Sequence, residues 1–159
     1  MDVVITPARP ADAGELLTVQ RAAYLIEGER YGSFRLPPLT ETLDEIRAVL
    51  RESTAQDGTL VLVAKLGHRL VGSVRGRVDG DTAHIARLSV APDLHGHGIG
   101  RRLLAAVERA FAGRVTRYEL FTGATSEANL KLYRSAGYTD IGHRAIDSGP
   151  GLAYLEKRS

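Results

Sequence analysis

The run His95-Gly96-His97-Gly98-Ile99-Gly100-Arg101-Arg102 decides how this chain is read. Before it comes an apolar, strand-like segment carrying Ile85, Leu88 and Val90. After it comes an amphipathic helix pattern with Leu103, Leu104, Val107 and Phe111. Gly96, Gly98 and Gly100 therefore stand where a strand passes into a helix. Glycine has no Cβ, so backbone N–H groups there can approach a bulky anion closely. The start of the helix adds N–H groups without intrahelical partners and a partial positive charge. Such a junction is a physical site for phosphate or pyrophosphate. By itself it narrows function only to a phosphate-bearing ligand, and a glycine-rich connection with no ligand is the plainer alternative.

Spacing removes two familiar phosphate loops. A P-loop needs Gly-x-x-x-x-Gly-Lys-Ser/Thr, and no Lys follows these glycines. A dinucleotide fingerprint needs Gly-x-Gly-x-x-Gly, which puts its third glycine at Arg101 counted from Gly96, or at Leu103 counted from Gly98. Neither register holds, which opposes a nucleotide-binding α/β protein of another type.

The surviving pattern is His95-Gly96-His97-Gly98-Ile99-Gly100, preceded by Leu88-Ser89-Val90-Ala91-Pro92. It resembles motif A of the GNAT superfamily of acyl-CoA-dependent N-acetyltransferases. That motif reads Gln/Arg-x-x-Gly-x-Gly/Ala after a Leu-x-Val-x-Pro strand end. His95 replaces the Gln or Arg of the first position. The resemblance implies acetyl-CoA as acyl donor, bound by Leu88, Ser89, Val90, His95, Gly96, His97, Gly98, Ile99, Gly100 and Arg101. Members use mainly backbone N–H groups of this loop. A backbone N–H near Leu88 would bind the acyl carbonyl, and a bulge is expected between Arg87 and Ser89. The strands on either side of the crossover helix would splay, and their free edges would take the pantetheine amides like another strand.

Composition agrees with one ordinary domain spanning residues 1–159. The chain is 43% hydrophobic, enough for a core. No apolar run reaches about 18 residues, so no membrane span is expected. MDVVITPARPAD lacks a basic stretch followed by an apolar one, so no secretory leader is expected and the location reads as cytoplasmic. The absence of cysteine excludes disulfides, a cysteine nucleophile and a Cys-based zinc site. A net charge of +2 is too small to argue for nucleic acid. The charge is unevenly placed: residues 1–58 carry −4, and residues 59–159, with the glycine loop, carry +6. The positive part suits a ligand with several phosphates. The negative part suits a cationic acceptor, or is a solvated helix surface.

Local patterns run β, α, α, three antiparallel strands, α, β, α, β, β. Val3 to Thr6 reads as a strand, and Asp12 with Glu15 opens a helix. Ile26 to Pro38 reads as a loop, and Thr40 as the cap of a helix with Leu43, Ile46, Val49 and Leu50 on one face. Strands are expected over Thr59 to Leu66, Arg69 to Val78 and Ala83 to Val90. A helix to Ala112, a strand Tyr118 to Thr122 and a helix Glu127 to Ala136 follow. The last strands are Tyr138 to Ile146 and Leu152 to Glu156, around a turn at Ser148-Gly149-Pro150. This is an α+β order with a mixed sheet. It matches the GNAT fold: a mostly antiparallel sheet, one splayed parallel pair and helices on both faces.

Asn129-Leu130-Lys131-Leu132-Tyr133-Arg134-Ser135-Ala136-Gly137-Tyr138 looks like a second GNAT signature, Asn-x-x-x-x-x-x-Tyr/Phe-x-x-x-Gly-Phe/Tyr, with the Asn-to-Tyr spacing shortened. Carried over by position, Asn129 helps hold coenzyme A and Tyr133 is the general acid at the sulfur. A phenol of ordinary pKa about 10 can protonate or hydrogen-bond a departing thiolate. The alternative is that Leu130, Leu132 and Tyr133 anchor the helix; Tyr138 reads as packing. An attacking amine must also lose a proton. Many family members place a Glu eleven residues before motif A, and that position is His84 here. Histidine titrates in the right range to take a proton directly or through water; an exposed strand histidine is the other reading, and Glu119 is a second candidate base. His95 and His97 with no third ligand make a weak metal pair, so no metal is expected.

Tyr24, Glu27, Glu29, Tyr31 and Phe34 lie where such folds border the acceptor groove, and could hold an ammonium by charge and cation–π contact. The acceptor would be a small-molecule amine or a peptide N-terminus, and a homodimer is a family expectation. The rival function is a non-catalytic acyl-CoA-binding or sensory module on the same fold.

Overall fold

The computed structural model describes residues 1–53, 57–146 and 151–159. Its strands are β1 (Val3–Pro7), β2 (Thr59–Leu66), β3 (Arg69–Asp79), β4 (Thr82–Val90), β5 (Arg117–Gly123), β6 (Thr139–Arg144) and β7 (Leu152–Arg158). Its helices are α1 (Ala13–Tyr31), α2 (Pro37–Thr40), α3 (Leu43–Glu52), α4 (Ile99–Phe111) and α5 (Glu127–Ser135). The strands form a seven-stranded sheet in the order β1-β2-β3-β4-β5-β7-β6. Every neighbouring pair is antiparallel except β4 with β5. These two are joined through α4, and a strand–helix–strand crossover leaves its strands parallel.

Parallel pairing covers only Thr82↔Arg117, Ala83↔Tyr118 and His84↔Glu119. Beyond His84 the two strands part, as expected of the splayed pair. Antiparallel pairing of β4 with β3 continues to Val90↔Gly72, but with a shift. Ala86 pairs with Arg75 and Ser89 with Ser73, so Arg87 and Leu88 together face Val74. This two-against-one step is a β-bulge at the expected place.

Alternation along β3 assigns the layers. Arg75 reaches Gln20 of α1, whereas a Cβ on Gly76 would lie 2.5 Å from Phe111 Cε2 of α4. Consecutive strand residues face opposite ways, so α1 and α4 cover opposite faces. Only glycine at 76 lets α4 approach this closely. The core is shared by Val61, Val63, Val71 and Val74 of the sheet with Leu103, Val107 and Phe111 of α4 and Leu16 and Ile46 of α1 and α3.

Two sequence expectations are corrected. Ile26 to Pro38 is not all loop: α1 continues through Gly28 to Tyr31. Glycine inside a helix costs about 1 kcal/mol relative to alanine. Here a Cβ at Gly28 would lie 2.9 Å from the Ser33 carbonyl and 3.0 Å from Leu39 Cδ1, so close packing favours glycine over the better helix former. Gly32, at φ 63°, supplies the left-handed stop. The second correction is the cap of α3. Thr40 closes the short helix α2, and Thr42 is the cap. Thr42 Oγ1 accepts from the Glu45 N–H at 3.1 Å, and Glu45 Oε1 accepts from the Thr42 N–H at 3.0 Å. A capping box needs an acid three residues on; Thr42 has Glu45 there and Thr40 has Leu43. The expected turn at Ser148-Gly149-Pro150 lies outside the described residues.

Candidate active site

Where β4 and β5 part, the structure opens a cleft of about 690 Å³, a size typical of ligand sites. Leu88 and Val90 of β4 line it, followed by Leu94, His95, Gly96 and Gly98 of the loop and Ile99, Gly100 and Arg101 of α4. Asn129, Lys131, Leu132 and Ser135 of α5 form the facing wall. Tyr24, Glu27 and Arg30 of α1 close a third side.

The loop presents its backbone. Gly96 and Gly98 take positive φ values of 83° and 79°, and a Cβ at either would meet nothing within 4 Å. The open space beside both residues lets a bulky group reach the first N–H groups of α4. Gly98 is the N-cap of α4, and its carbonyl already accepts from the Arg102 N–H at 3.1 Å. Arg101 is exposed and donates to Ser135 Oγ, linking α4 to α5 across the cleft. Arg102 points away, donating to the Val3 carbonyl at 2.8 Å. His95 Nε2 donates to the Val90 carbonyl at 2.9 Å, which pins the loop to the end of β4. The same residue lines the cleft. His97 is exposed and is not among the lining residues. Among the described residues no group of three or more His, Asp or Glu side chains is placed to hold a metal ion.

Ser89 is buried beneath the cleft, its Oγ donating to the Arg87 carbonyl at 3.1 Å. Asn129 Nδ2 donates to Thr122 Oγ1 at 3.2 Å, orienting the amide from α5 towards the end of β5. Tyr133 lies behind this wall, 6% exposed, with its ring edge-on to Tyr138 at 6.1 Å. Burial pushes the Tyr133 phenol pKa up, and the neighbouring Tyr24 and Glu27 reinforce the shift. The group is therefore a proton donor and not a phenolate at neutral pH. Tyr24 is also pushed up, to about 12, by burial, with Arg87 opposing and Glu27 adding to the effect. Tyr138 packs as expected, donating to Glu108 Oε2 at 2.7 Å on the far side of α4.

His84 stands at the closed end of the splay. It pairs with Arg77 on one side and Glu119 on the other and does not line the cleft. The Glu119 carboxylate accepts from Arg117, which also donates to Glu156 at 2.5 Å.

Sequence reasoning set Tyr24 and Glu27 beside the acceptor groove but read Ile26 to Pro38 as a loop, and so missed that Glu27 and Arg30 stand on a helical wall, α1. Glu27 accepts from Ser126 Oγ, Arg30 Nη1 donates to the Thr125 carbonyl at 3.0 Å, and Tyr31 packs on Gly123. The end of α1 is thereby fastened to the β5–α5 junction. The available signal was the spacing Tyr24, Glu27, Arg30, Tyr31, which is a helical face; Gly28 concealed it. Lys131 was also overlooked, although it follows Asn129 on the same helix.

The sequence profile of the acetyltransferase (GNAT) family matches residues 23–138. The chain belongs to that family. A curated relative, mycothiol acetyltransferase of Kineococcus radiotolerans, is 34% identical over 98 residues. That match takes in 62% of this chain and 32% of the relative, so the chain spans about a third of its length. Among solved structures, the PaiA N-acetyltransferase of Thermoplasma acidophilum in complex with coenzyme A superposes with a TM-score of 0.83 at 17% identity, covering 100% of both chains. A GNAT-family acetyltransferase of Streptococcus pneumoniae gives 0.80 at 22% identity, covering 99% of this chain and 100% of that one. The ribosomal-protein-S18-alanine N-acetyltransferase of Escherichia coli gives 0.77 at 16% identity, covering 99% and 94%. No helix among the described residues is long and apolar enough to cross a membrane.

Proposed function

We propose that the chain transfers an acetyl group from acetyl-CoA to a primary amine, by direct attack without an acyl-enzyme. The observation that carries this is the junction of the open glycine loop with the parting of β4 and β5, faced by the helix that bears Asn129 and Tyr133. The donor set fits coenzyme A. Gly96, Gly98 and the first turn of α4 suit its phosphates, Arg101 and Lys131 add positive charge, and Leu88, Val90 and Leu132 suit its pantetheine arm. The coenzyme A complex of the PaiA relative supports the same choice.

Acetyl-CoA supplies an activated acyl carbon, whose bond to sulfur breaks as the bond to the amine nitrogen forms. The Leu88 N–H is the proposed donor to the acyl oxygen, where an aimed backbone donor is worth most. Tyr133, kept protonated by burial, returns a proton to the departing sulfur. His84, which lies outside the cleft lining, would take the amine proton through water, with Glu119 the second candidate. The acceptor is a small-molecule amine or a peptide N-terminus; Tyr24 and Glu27, the latter 3.8 Å from Arg30, offer a ring and a carboxylate to an ammonium on the α1 wall.

Thermal unfolding in parallel with acetyl-CoA, coenzyme A, NAD and ATP tests the reading. At about 100 times its Kd a ligand adds about 2.7 kcal/mol of stability. A rise with the coenzyme A forms is expected, and an amine screen that follows free thiol then identifies the acceptor. A larger rise with NAD or ATP would overturn the proposal.

A further inference from the structure

The bulge in β4 contains a strained residue. Among the described residues, Arg87 is the non-glycine residue with a positive φ, at 56°. An arginine occupies that left-handed region only where its surroundings compel it. The surroundings are ionic. Arg87 Nε lies 3.5 Å from Glu41 Oε1. Glu41 sits in the connection between α2 and α3, and accepts from Arg75 Nη1 at 2.9 Å and Nη2 at 2.5 Å. Gln20 of α1 donates to Glu41 at 2.9 Å and to the Pro38 carbonyl at 3.0 Å. One carboxylate thus gathers α1, β3, β4 and the α2–α3 connection.

Two features separate this cluster from an ordinary structural ion pair. Arg75 and Arg87 share the single carboxylate of Glu41, so the cluster carries surplus positive charge. Arg87 Nε is also buried and makes no hydrogen bond among the described residues. Apolar packing would stabilise such a place as well as or better than a crowded ion cluster. What the cluster does achieve is a fixed place for Arg87, and the next residue is Leu88, which lines the cleft.

We infer that Glu41 is a positioning residue for the transfer site: its carboxylate holds Arg87 left-handed, and that conformation aims the Leu88 peptide at the cleft. The inference rests on the acetyl-transfer reading of that cleft. It extends the site to a residue more than forty positions away in sequence.

Glycine adopts the left-handed region without the penalty that a Cβ imposes. The bulge should therefore need Glu41 when residue 87 is arginine, and not in the Arg87→Gly background. Amide hydrogen exchange of the segment 87–90, followed by mass spectrometry, reads this directly. Glu41→Gln is expected to speed exchange there by about tenfold, and to leave it within about twofold in the Arg87→Gly background. Equal acceleration in both backgrounds, or none in either, would overturn the inference. A purely structural role predicts equal acceleration, because Arg75 and Gln20 lose the same partner in both.

Should Glu41→Gln fail to fold, Arg87→Ala and Arg87→Gly decide. Both remove the guanidinium, but alanine keeps the Cβ penalty; faster exchange in the alanine variant alone supports the inference, and identical exchange refutes it. Kinetics with the amine from the acceptor screen add a second readout. Glu41→Gln should lower kcat by about tenfold or more while the KM for acetyl-CoA stays within about twofold. A rise in KM with unchanged kcat would refute a positioning role. Coenzyme A binding to the unaltered protein, measured by calorimetry, separates the two levels. Its absence would sink the acetyl-transfer reading, while the exchange experiment would still report whether Glu41 holds the bulge.

Discussion

The two halves of β4 are built for different ends. From Thr82 to Ala86 the strand is paired in register with β3, and up to His84 with β5 as well. Ala83 and Ile85 are buried, Ile85 4% exposed. From Arg87 to Val90 the strand has lost β5, carries a bulge and lines a cleft. Adjacent residues of one strand thus contribute packing at one end and an open edge at the other. The lesson is that the site is made by ending a pairing: an edge strand with unpaired backbone groups is avoided in most sheets, and here it is enclosed by α1, α4 and α5.

Substitutions in the two halves should separate stability from transfer. Ile85→Ala in the closed half should cost about 2–5 kcal/mol of stability, read by denaturant unfolding. Leu88→Ala, half-buried at the cleft, should cost less than half as much; equal losses would break the contrast. Tyr133→Phe should lower kcat by about 10²-fold, the lower range of general acid contributions, with coenzyme A affinity unchanged. Retained turnover would move the acid elsewhere and favour the non-catalytic reading of the wall.

The ion cluster under the bulge predicts a pH dependence. Burial works to raise the Glu41 carboxyl, but hydrogen bonds from Arg75 and Gln20, with the charges of Arg75 and Arg87, hold it down to about 2 from an ordinary 4.5. Because the folded value is the lower one, the stabilisation is complete above about pH 4.5 and is lost as the pH falls towards 2. A shift of this size corresponds to roughly 3 kcal/mol. Urea unfolding between pH 6 and 2.5 should show this acid limb, and Glu41→Gln should flatten it. The smallest effect on stability is expected at the loop. Gly98→Ala meets no neighbour but must hold a left-handed φ of 79°, at about 1 kcal/mol. Its larger consequence should be weaker coenzyme A binding, read by calorimetry.

Much of the sheet was legible because its signals are local. Thr59 to Leu66 was read with its observed limits, Arg69 to Val78 and Ala83 to Val90 differ by one residue at an end, and the crossover through α4 fixed the parallel pair. The glycine loop was equally legible, since its spacing is itself the geometry. The α1 extension was not, because Gly28 looks like a helix breaker until Ser33 and Leu39 are seen against it. Tyr133 was placed on the right helix, but its burial and its nearness to Tyr24 depend on how α1 and α5 approach each other.

Sequence by itself determined the strand and helix order, the phosphate-suited loop at Gly96 to Gly100 and the resemblance that led to the family. These follow from periodicity, turn chemistry and spacing, which act over a few residues. Only the tertiary structure decided that α1 walls the cleft and that His84 stands outside it. It alone brought Glu41 beneath Arg87, more than forty residues away, and showed Arg87 held left-handed there. Such contacts arise from packing elements that are distant along the chain. No local pattern records them, because the energy that compels them belongs to the assembled fold.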